Sequence, residues 1–282
     1  MTKTILAAAS ALAVACLASV AAHAQTEVPG PITVSAEVAL VSDYRFRGVS
    51  YTDEEMAIQG GIEIGHESGF YGGAWASNLS GWGTFAGANM ELDLYAGYST
   101  EISSGVSVDV GATYFMYPGG LDTTDFVEFY GSVSGSLGPA EVTLGMAYAP
   151  AQEALGKWYF DGAAAAAGVY DDPGDKEDNL YVYLDAGAAI PDTPISLNAH
   201  VGYSNGNDGL GPQGTSVAPT GEYLDWSIGA DLALGPVTLG AKYIDTDISK
   251  SESAYLLPNF ASTKNGSSIA GSTIVFSISA GF

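Results

Sequence analysis

The segment that decides the fold is Ser272-Thr-Ile-Val-Phe-Ser-Ile-Ser-Ala-Gly-Phe282. Its apolar residues fall on one parity and its small or mostly polar residues on the other: Ile274, Phe276, Ile278, Ala280 and Phe282 alternate with Val275, Ser277, Ser279 and Gly281. A period of two with one apolar face is typical of a β-strand. At about eleven residues, the segment has the length of a membrane-spanning strand rather than of an ordinary soluble one.

The same alternation recurs along the chain and predicts about twelve strands. They are Thr33–Tyr44, Ala57–His66, Phe70–Asn78, Met90–Thr100, Val106–Tyr117, Phe126–Leu137, Glu141–Ala149, Leu180–Ile190, Ile195–Ser204, Tyr223–Leu234, Val237–Asp245 and Ser272–Phe282. The connections between them alternate strictly between short Gly/Pro turns and long polar loops, and the longest loop covers Pro150–Asn179. This rhythm favours an all-β transmembrane antiparallel β-barrel of about 12 strands with short periplasmic turns and longer extracellular loops. We expect Ser272–Phe282 to pair with Thr33–Tyr44 and close the barrel.

Apolar residues share one parity in nearly every predicted strand, as in Val34, Ala36, Val38 and Leu40 or in Val237, Leu239 and Ala241. Hydrocarbon offers no hydrogen-bond partners, so a spanning sheet must close and leave no edge. At the strand ends that adjoin the long loops, the outward-facing residues are aromatic. They predict an interfacial girdle made of Tyr44, Tyr114, Tyr148, Tyr203, Trp226 and Tyr243.

The chain begins with the pattern of an export signal. Lys3 precedes an Ala/Leu/Val run from Ile5 to Ala22, and Ala22-His-Ala24 is an A-x-A cleavage site. The alternative is a transmembrane helix, since the run approaches the roughly 18 residues that a span requires. The cleavage site favours a signal peptide over residues 1–24 and a single barrel domain over residues 25–282. Cys16 is the only cysteine, so the exported domain has no disulfide or thiolate chemistry.

The composition is strongly acidic, with 32 Asp and Glu against 8 Lys and Arg and a formal charge of -24. Because no basic patch is available to displace counterions, nucleic acid is excluded as a partner. The inward parity carries most candidates for lumen selectivity: Glu37, Arg45, Arg47, Glu63, Glu91, Asp93, Asp109, Glu128, Asp185, Asp225, Asp231 and Lys242. A lumen rich in carboxylates favours cations and repels anions. Alternatively, these acids pair with the few bases, share protons with one another or face water without consequence.

The stretch Val41-Ser-Asp-Tyr-Arg-Phe-Arg-Gly-Val-Ser50 is followed by Ala57-Ile-Gln-Gly-Gly61, His66-Glu-Ser-Gly-Phe-Tyr71 and Ala74-Trp-Ala-Ser-Asn78. Together with the exported start, these motifs resemble the TorF-type porin family of proteobacterial outer membranes. The local similarity covers about the first third of the exported chain. The resemblance implies an outer-membrane channel and supplies no solute. The terminal Phe282 likewise resembles the C-terminal assembly signal of bacterial outer-membrane barrels.

Arg45 and Arg47 alternate with Tyr44 and Phe46, so both guanidinium groups are expected to face the lumen at its outer mouth. They could form a cationic rung that binds an anionic solute, because Arg suits bidentate carboxylate or phosphate contacts. The alternative is internal pairing with Asp43, Asp53, Glu54, Glu55 or lumen acids, and the abundance of carboxylates favours it.

Two classes of function remain for the exported domain. The first is an outer-membrane porin that passes small polar solutes by passive diffusion through an acidic lumen. The second is a barrel plugged by an inward loop, with a structural or surface-interaction role. No spacing of Ser, His and acid points to an enzyme, a cofactor site or a metal site. The expected partners are outer-membrane lipid, lipopolysaccharide and the barrel-assembly machinery, and the barrel is expected to be a monomer.

Overall fold

The computed structural model describes residues 26–27, 30–85 and 87–282. Within this part of the chain, twelve long strands form one antiparallel sheet that closes on itself. The strands are β1 Ile32–Val41, β2 Ala57–His66, β3 Phe70–Asn78, β4 Met90–Ser103, β5 Val106–Met116, β6 Phe126–Leu137, β7 Ala140–Gln152, β8 Glu177–Ala189, β9 Ile195–Asn205, β10 Glu222–Leu234, β11 Val237–Thr246 and β12 Thr273–Gly281. The predicted signal peptide, residues 1–24 with Cys16, lies outside the described residues.

Each strand pairs with its neighbours in the chain, and the last strand closes the barrel against the first. The register of β12 on β1 runs from Ser277 opposite Val41 to Gly281 opposite Glu37. The same β1 pairs along its other edge with β2. The backbone of Phe282 then continues the seam with two hydrogen bonds to Ala36, of 2.8 and 3.0 Å. Closure by the C-terminal strand, as predicted from its alternation, is confirmed.

The outer surface of the barrel is a continuous apolar band. Ile58, Leu144 and Ile228 expose 66, 57 and 63% of their surface, and none of them lies at the end of its strand. A water-soluble protein rarely exposes so large an apolar surface, whereas a barrel in lipid requires it. The fold is therefore an all-β transmembrane barrel. Among the described residues, no helix is long and apolar enough to cross a membrane.

One end of the barrel carries tight turns and the other carries long loops, as the rhythm of the sequence predicts. Gly138 and Gly235 adopt φ of +66° and +65° in the tight turns that follow β6 and β10, a conformation that favours glycine. The long loops contain short 3₁₀ turns and one short helix, α1, at Gly162–Ala167. The Pro150–Asn179 region is shorter as a loop than predicted, because β7 extends to Gln152 and β8 begins at Glu177.

The prediction that the long loops are merely polar is wrong. Several of their side chains form a buried apolar cluster with residues of the barrel wall: Phe46, Val49, Tyr51, Trp82, Phe85, Leu155, Tyr159, Leu210, Leu256, Phe260 and Ile269. Pairing of Tyr159 with Leu210 ties two of these loops together. Burial of apolar side chains away from water lowers the free energy of the folded protein. The loops therefore pack inward over the barrel mouth.

The placement of Tyr44 in the outer aromatic girdle is also wrong. β1 ends at Val41, three residues earlier than predicted, and the chain then turns into the lumen. Tyr44 is consequently fully buried. The other girdle residues lie on the outward face near the long-loop end, where Tyr114, Tyr148 and Tyr243 donate hydrogen bonds to the carboxylates of Asp125, Asp178 and Asp245.

Candidate functional site: an acidic lumen that contains the first loop

The first long loop folds into the lumen as a hairpin, which we call the lumen hairpin and define as residues Tyr44–Asp53. Arg45–Phe46 pairs with Val49–Ser50, and the turn between them is Arg47-Gly48, with φ of +48° and +80°. Positive φ at both central residues is the geometry of a two-residue turn that matches the twist of a hairpin. Every residue from Tyr44 to Asp53 is buried.

Arg47 projects from the tip of the lumen hairpin to the opposite wall. Its Nη2 donates to Glu128 Oε2 on β6 at 2.6 Å, and its Nη1 donates to Asn179 Oδ1 on β8 at 2.7 Å. The guanidinium carbon lies 4.1 Å from the ring centroid of Tyr181, a stacking arrangement that suits the planar guanidinium. Arg47 and Glu128 are both buried, so the pair is shielded from bulk solvent.

Gly48 places the hairpin backbone directly against the wall on another side. A Cβ at this position would lie 2.4 Å from Thr246 Cγ2 on β11 and 3.0 Å from the Cβ of Asp225 on β10. A residue with a side chain fits here only if the hairpin or the Thr246 side chain shifts. The hairpin tip therefore contacts β10 and β11 through its backbone and β6 and β8 through Arg47.

Aromatic rings hold the two flanks of the lumen hairpin. Tyr44 packs edge-on against Trp75 of β3 at 5.5 Å, and Phe46 packs edge-on against Phe115 of β5 at 6.0 Å. Tyr51 stacks on Phe46 at 5.3 Å within the hairpin itself. Such ring pairs add to the free energy of burial. With the tip contacts, they engage the wall around its circumference.

The base of the hairpin is tied to the loop that precedes β12. Arg45 donates from Nε to Asp43 Oδ2 at 2.7 Å and from Nη1 to the carbonyls of Gly48 and Gly271 at 2.9 and 2.8 Å. The amide of Ser50 donates to the carbonyl of Ile269 at 2.9 Å. Arg45 thus braces the hairpin, and both arginines are paired internally instead of forming a free cationic rung.

Further out, the long loops also contact one another. Lys157 donates to Asp208 Oδ1 at 2.7 Å, and this hydrogen bond lowers the pKa of the Asp208 carboxyl below its usual range. Tyr255 donates to the carbonyl of Asp208 from a third loop. These contacts bring the loops together above the lumen hairpin.

Carboxylates lie beneath and beside the hairpin. Glu91 accepts hydrogen bonds from the Tyr44 hydroxyl at 3.1 and 3.2 Å. Asp93, on the same face of β4, is fully buried, and neither of its oxygens has a hydrogen-bond partner among the described residues. Asp93 interacts electrostatically with Glu91 and Glu128. The seat of the hairpin is therefore acidic beyond what Arg47 balances.

Towards the short-turn end, tyrosine hydroxyls hold the lumen carboxylates. Tyr71 donates to Asp109 at 2.6 Å and Tyr95 donates to Glu63 at 3.3 Å. A phenol supplies a hydrogen bond to the carboxylate without adding a positive charge. The hydrogen-bond partners of these acids are therefore phenols that carry no positive charge.

His200 forms a polar cluster with two acids and Tyr181. Its Nδ1 lies 2.6 Å from Asp185 Oδ1, and its Nε2 lies 3.2 Å from Asp225 Oδ1 and 2.8 Å from the Tyr181 hydroxyl. Tyr181 also donates to Asp225 Oδ2 at 3.0 Å. Because Tyr181 stacks on Arg47, this cluster adjoins the hairpin tip.

The remaining predicted residues lie on the inward parity or at the seam. Asp231 accepts a hydrogen bond from Asn198 at 2.8 Å, and Lys242 shares its face on the neighbouring strand. Glu37 lies on β1 opposite Gly61, close to where the barrel closes. Phe282 is 59% exposed at the end of the seam. These residues share the lumen or its edge without forming one compact site.

Three features of the site escaped prediction from the sequence. Asn179 was assigned to a loop, although it is a buried hydrogen-bond partner on β8. Tyr181 and Tyr183 could have been found, because their parity is opposite to that of the outward Val182 and Leu184. The inward path of the first loop left a weaker signal, namely its alternating Tyr, Phe and Val residues in a segment predicted to be polar.

A family model of bacterial proteins of unknown function, Gcw_chp, matches residues 25–282. The chain belongs to this family. No curated protein gives a significant sequence match.

Among solved structures, the chain is similar to several outer-membrane barrels. The KdgM porin in complex with disordered oligogalacturonate is 6% identical with a TM-score of 0.48, covering 88% of this chain and 98% of that one. The COG4313 outer-membrane channel of Pseudomonas putida F1 is 10% identical with a TM-score of 0.44, covering 90 and 96%. A porin is 11% identical with a TM-score of 0.41, covering 89 and 100%. The barrel assignment itself rests on the strand pairing described above.

Proposed function

We propose that this protein is a channel of the bacterial outer membrane, exported by cleavage after Ala24, that passes small polar solutes by passive diffusion and favours cations. The lumen hairpin constricts the channel in the conformation described. The resemblance of residues 41–78 to TorF-type porins supports the same proposal. The observation that carries it is the acidic lumen wall, whose carboxylates are held by tyrosine hydroxyls.

The electrostatic argument follows from the balance of charge on the inward face. The wall carries nine of the acids considered above, while the cations within the lumen are Arg45, Arg47, Lys242 and, when protonated, His200. Arg45 is already paired with Asp43, and Arg47 with Glu128. Low-dielectric walls around a narrow wet path focus the remaining negative potential, which raises the local concentration of cations.

A second candidate is a barrel that stays plugged and acts at the cell surface through its loops. The observation that favours it is the lumen hairpin itself, which contacts the wall through Arg47, Gly48, Phe46 and Tyr44. A barrel of twelve strands lies between the filled eight-stranded barrels and the open porins, so one hairpin can block it. In this case the acidic wall only holds the hairpin in place, and the barrel conducts no ions.

The test compares the native barrel with a variant that lacks the hairpin tip, here the segment Arg45–Ser50. Tyr51 N donates to Tyr44 O at 2.8 Å, so the two ends of the segment Arg45–Ser50 are adjacent. A two-residue Asn-Gly turn can replace that segment and keep both flanking chains in place. Both proteins are reconstituted in planar bilayers, and conductance and reversal potential are measured under a KCl gradient.

The channel proposal expects conductance steps from the native barrel, larger steps from the variant, and reversal potentials of cation-selective sign in both. A folded native barrel that stays silent while the variant conducts supports the plugged barrel instead. Anion-selective potentials contradict the proposed role of the lumen acids. The expectations that the protein is a monomer, that it is not an enzyme and that it meets lipopolysaccharide and the barrel-assembly machinery remain predictions.

A further inference from the structure

The residues that bind the tip of Arg47 form a ready-made site for a planar cation. We call this site the latch seat and define it as Glu128, Asn179 and Tyr181, all on the barrel wall. Each of the three is buried and points at the guanidinium: two oxygens accept hydrogen bonds from Nη2 and Nη1, and one aromatic ring lies beneath. The seat belongs to β6 and β8, whereas its occupant belongs to the first loop.

The seat recognises the terminal amino groups of the guanidinium and not its point of attachment. Arg47 Nε is buried and has no hydrogen-bond partner among the described residues. Any solute with a monosubstituted guanidinium can therefore present the same two N–H donors and the same flat face. An ammonium group provides a point charge without the planar fork, so it fits the seat less well.

A second observation shows that the region has capacity for positive charge. Asp93 is fully buried with both carboxylate oxygens unpartnered among the described residues, and it interacts electrostatically with Glu91 and Glu128. A buried carboxylate without a partner is costly unless a cation or a proton is close. A cation that enters near the latch seat can supply the positive charge that Asp93 lacks.

The hairpin tip is also built so that it can be released. Arg47 adopts φ of +48°, a left-handed conformation that is uncommon for a residue with a side chain. The contacts of its guanidinium with the wall help to hold the tip in this conformation. A competing guanidinium removes these contacts and so weakens the attachment of the tip to β6 and β8.

We propose that the latch seat binds small solutes that carry a guanidinium group, and that such a solute competes with Arg47 and so releases the lumen hairpin. The solute class of the channel is accordingly guanidinium-bearing organic cations. This inference rests on the proposed channel function for its meaning in the cell, but the binding site can be tested without conduction.

The test measures binding of n-propylguanidinium by isothermal titration calorimetry to the folded barrel in detergent. The native protein is compared with Arg47→Ala, which vacates the seat, and with Arg47→Ala combined with Glu128→Gln. Tetramethylammonium serves as a cation of equal charge that donates no hydrogen bond. Retained heat-modifiable migration on gels shows that each variant is folded, and Arg47→Gln, which also removes the cation, replaces Arg47→Ala if the latter fails to fold.

We expect n-propylguanidinium to bind Arg47→Ala at least about tenfold more tightly than it binds the native barrel, because the native competitor is gone. The added Glu128→Gln change removes a charge-assisted hydrogen bond and should weaken binding about tenfold or more. Equal affinity of the native barrel and Arg47→Ala, or equal affinity with and without Glu128, overturns the proposal, as does equal binding of tetramethylammonium. A barrel that binds n-propylguanidinium but never conducts refutes the channel function and leaves the site in place.

Discussion

Nη2 of Arg47 lies 2.6 Å from Oε2 of Glu128, so a loop residue and a wall residue 81 positions apart form a buried ion pair inside the barrel. This contact joins the tip of the first loop to a strand on the far side of the lumen. One pair of opposite charges, both shielded from water, thus contributes to holding the hairpin inside the lumen.

Removing the charge of Glu128 should loosen the lumen hairpin. Glu128→Gln leaves the Arg47 guanidinium buried without its carboxylate, a change that costs about 3 kcal/mol in comparable buried pairs. We expect larger or more frequent conductance steps in planar bilayers and faster proteolysis at the hairpin. The matched control is Glu153→Gln, because Glu153 forms an exposed pair with Lys176 at 3.5 Å, worth little. Equal effects of both changes would argue against a role of the Arg47–Glu128 pair in holding the hairpin.

Adding a methyl group at Gly48 should displace the hairpin by direct contact. A Cβ at this position lies 2.4 Å from Thr246 Cγ2, and φ is +80°. Gly119→Ala is the control, because Gly119 has a similar φ of +87° but nothing within 4 Å of its Cβ. Both substitutions carry the backbone penalty of roughly 1 kcal/mol. We expect only Gly48→Ala to raise the conductance of the barrel. Equal conductance of the two variants would show that the close approach of Gly48 to Thr246 has no role.

Neutralising the tyrosine-held acids should reduce cation preference. In the variant that lacks the hairpin tip, Glu63→Gln with Asp109→Asn removes two lumen charges while retaining side chains of similar shape. The reversal potential under a KCl gradient should then move towards zero. The control changes two exposed acids of a long loop, Asp171→Asn with Asp172→Asn, which carry the same charge away from the lumen. A reversal potential that responds only to the loop pair would place selectivity outside the barrel.

Loss of Phe282 should impair assembly without changing the selectivity of the barrels that fold. Its backbone makes two hydrogen bonds to Ala36, which extend the closing seam. Deletion removes those bonds and the ring, whereas Phe282→Ala keeps the bonds and removes only the ring. If the aromatic ring is an assembly signal, both variants give less heat-modifiable barrel in the outer membrane. A defect in the deletion alone would assign the effect to the seam.

The two-residue period of the sequence was sufficient to predict twelve strands, the side of each that faces lipid, and the pairing of β12 with β1. Side chains of a strand alternate between faces, and lipid demands an apolar face at each outward position. The inward acids Glu91, Asp93 and Glu128 followed from the same parity. The parity of a strand is a local property, so each strand reveals it by itself, and the pairing of β12 with β1 follows because a sheet in lipid must leave no open edge.

The path of the first loop was decided only by the tertiary structure. Nothing in the spacing of Arg45 and Arg47 states that the chain turns inward after Val41, because a loop has no period and its residues face whatever surrounds them. The partners of Arg47, Glu128 and Asn179, lie 81 and 132 residues away in the chain. They come within reach of the hairpin only when twelve strands close, since closure creates the confined space that the hairpin fills. The sequence by itself thus determined a barrel with acidic residues on its inward face. The closed fold determined that Arg47 of the first loop pairs with Glu128 inside that barrel.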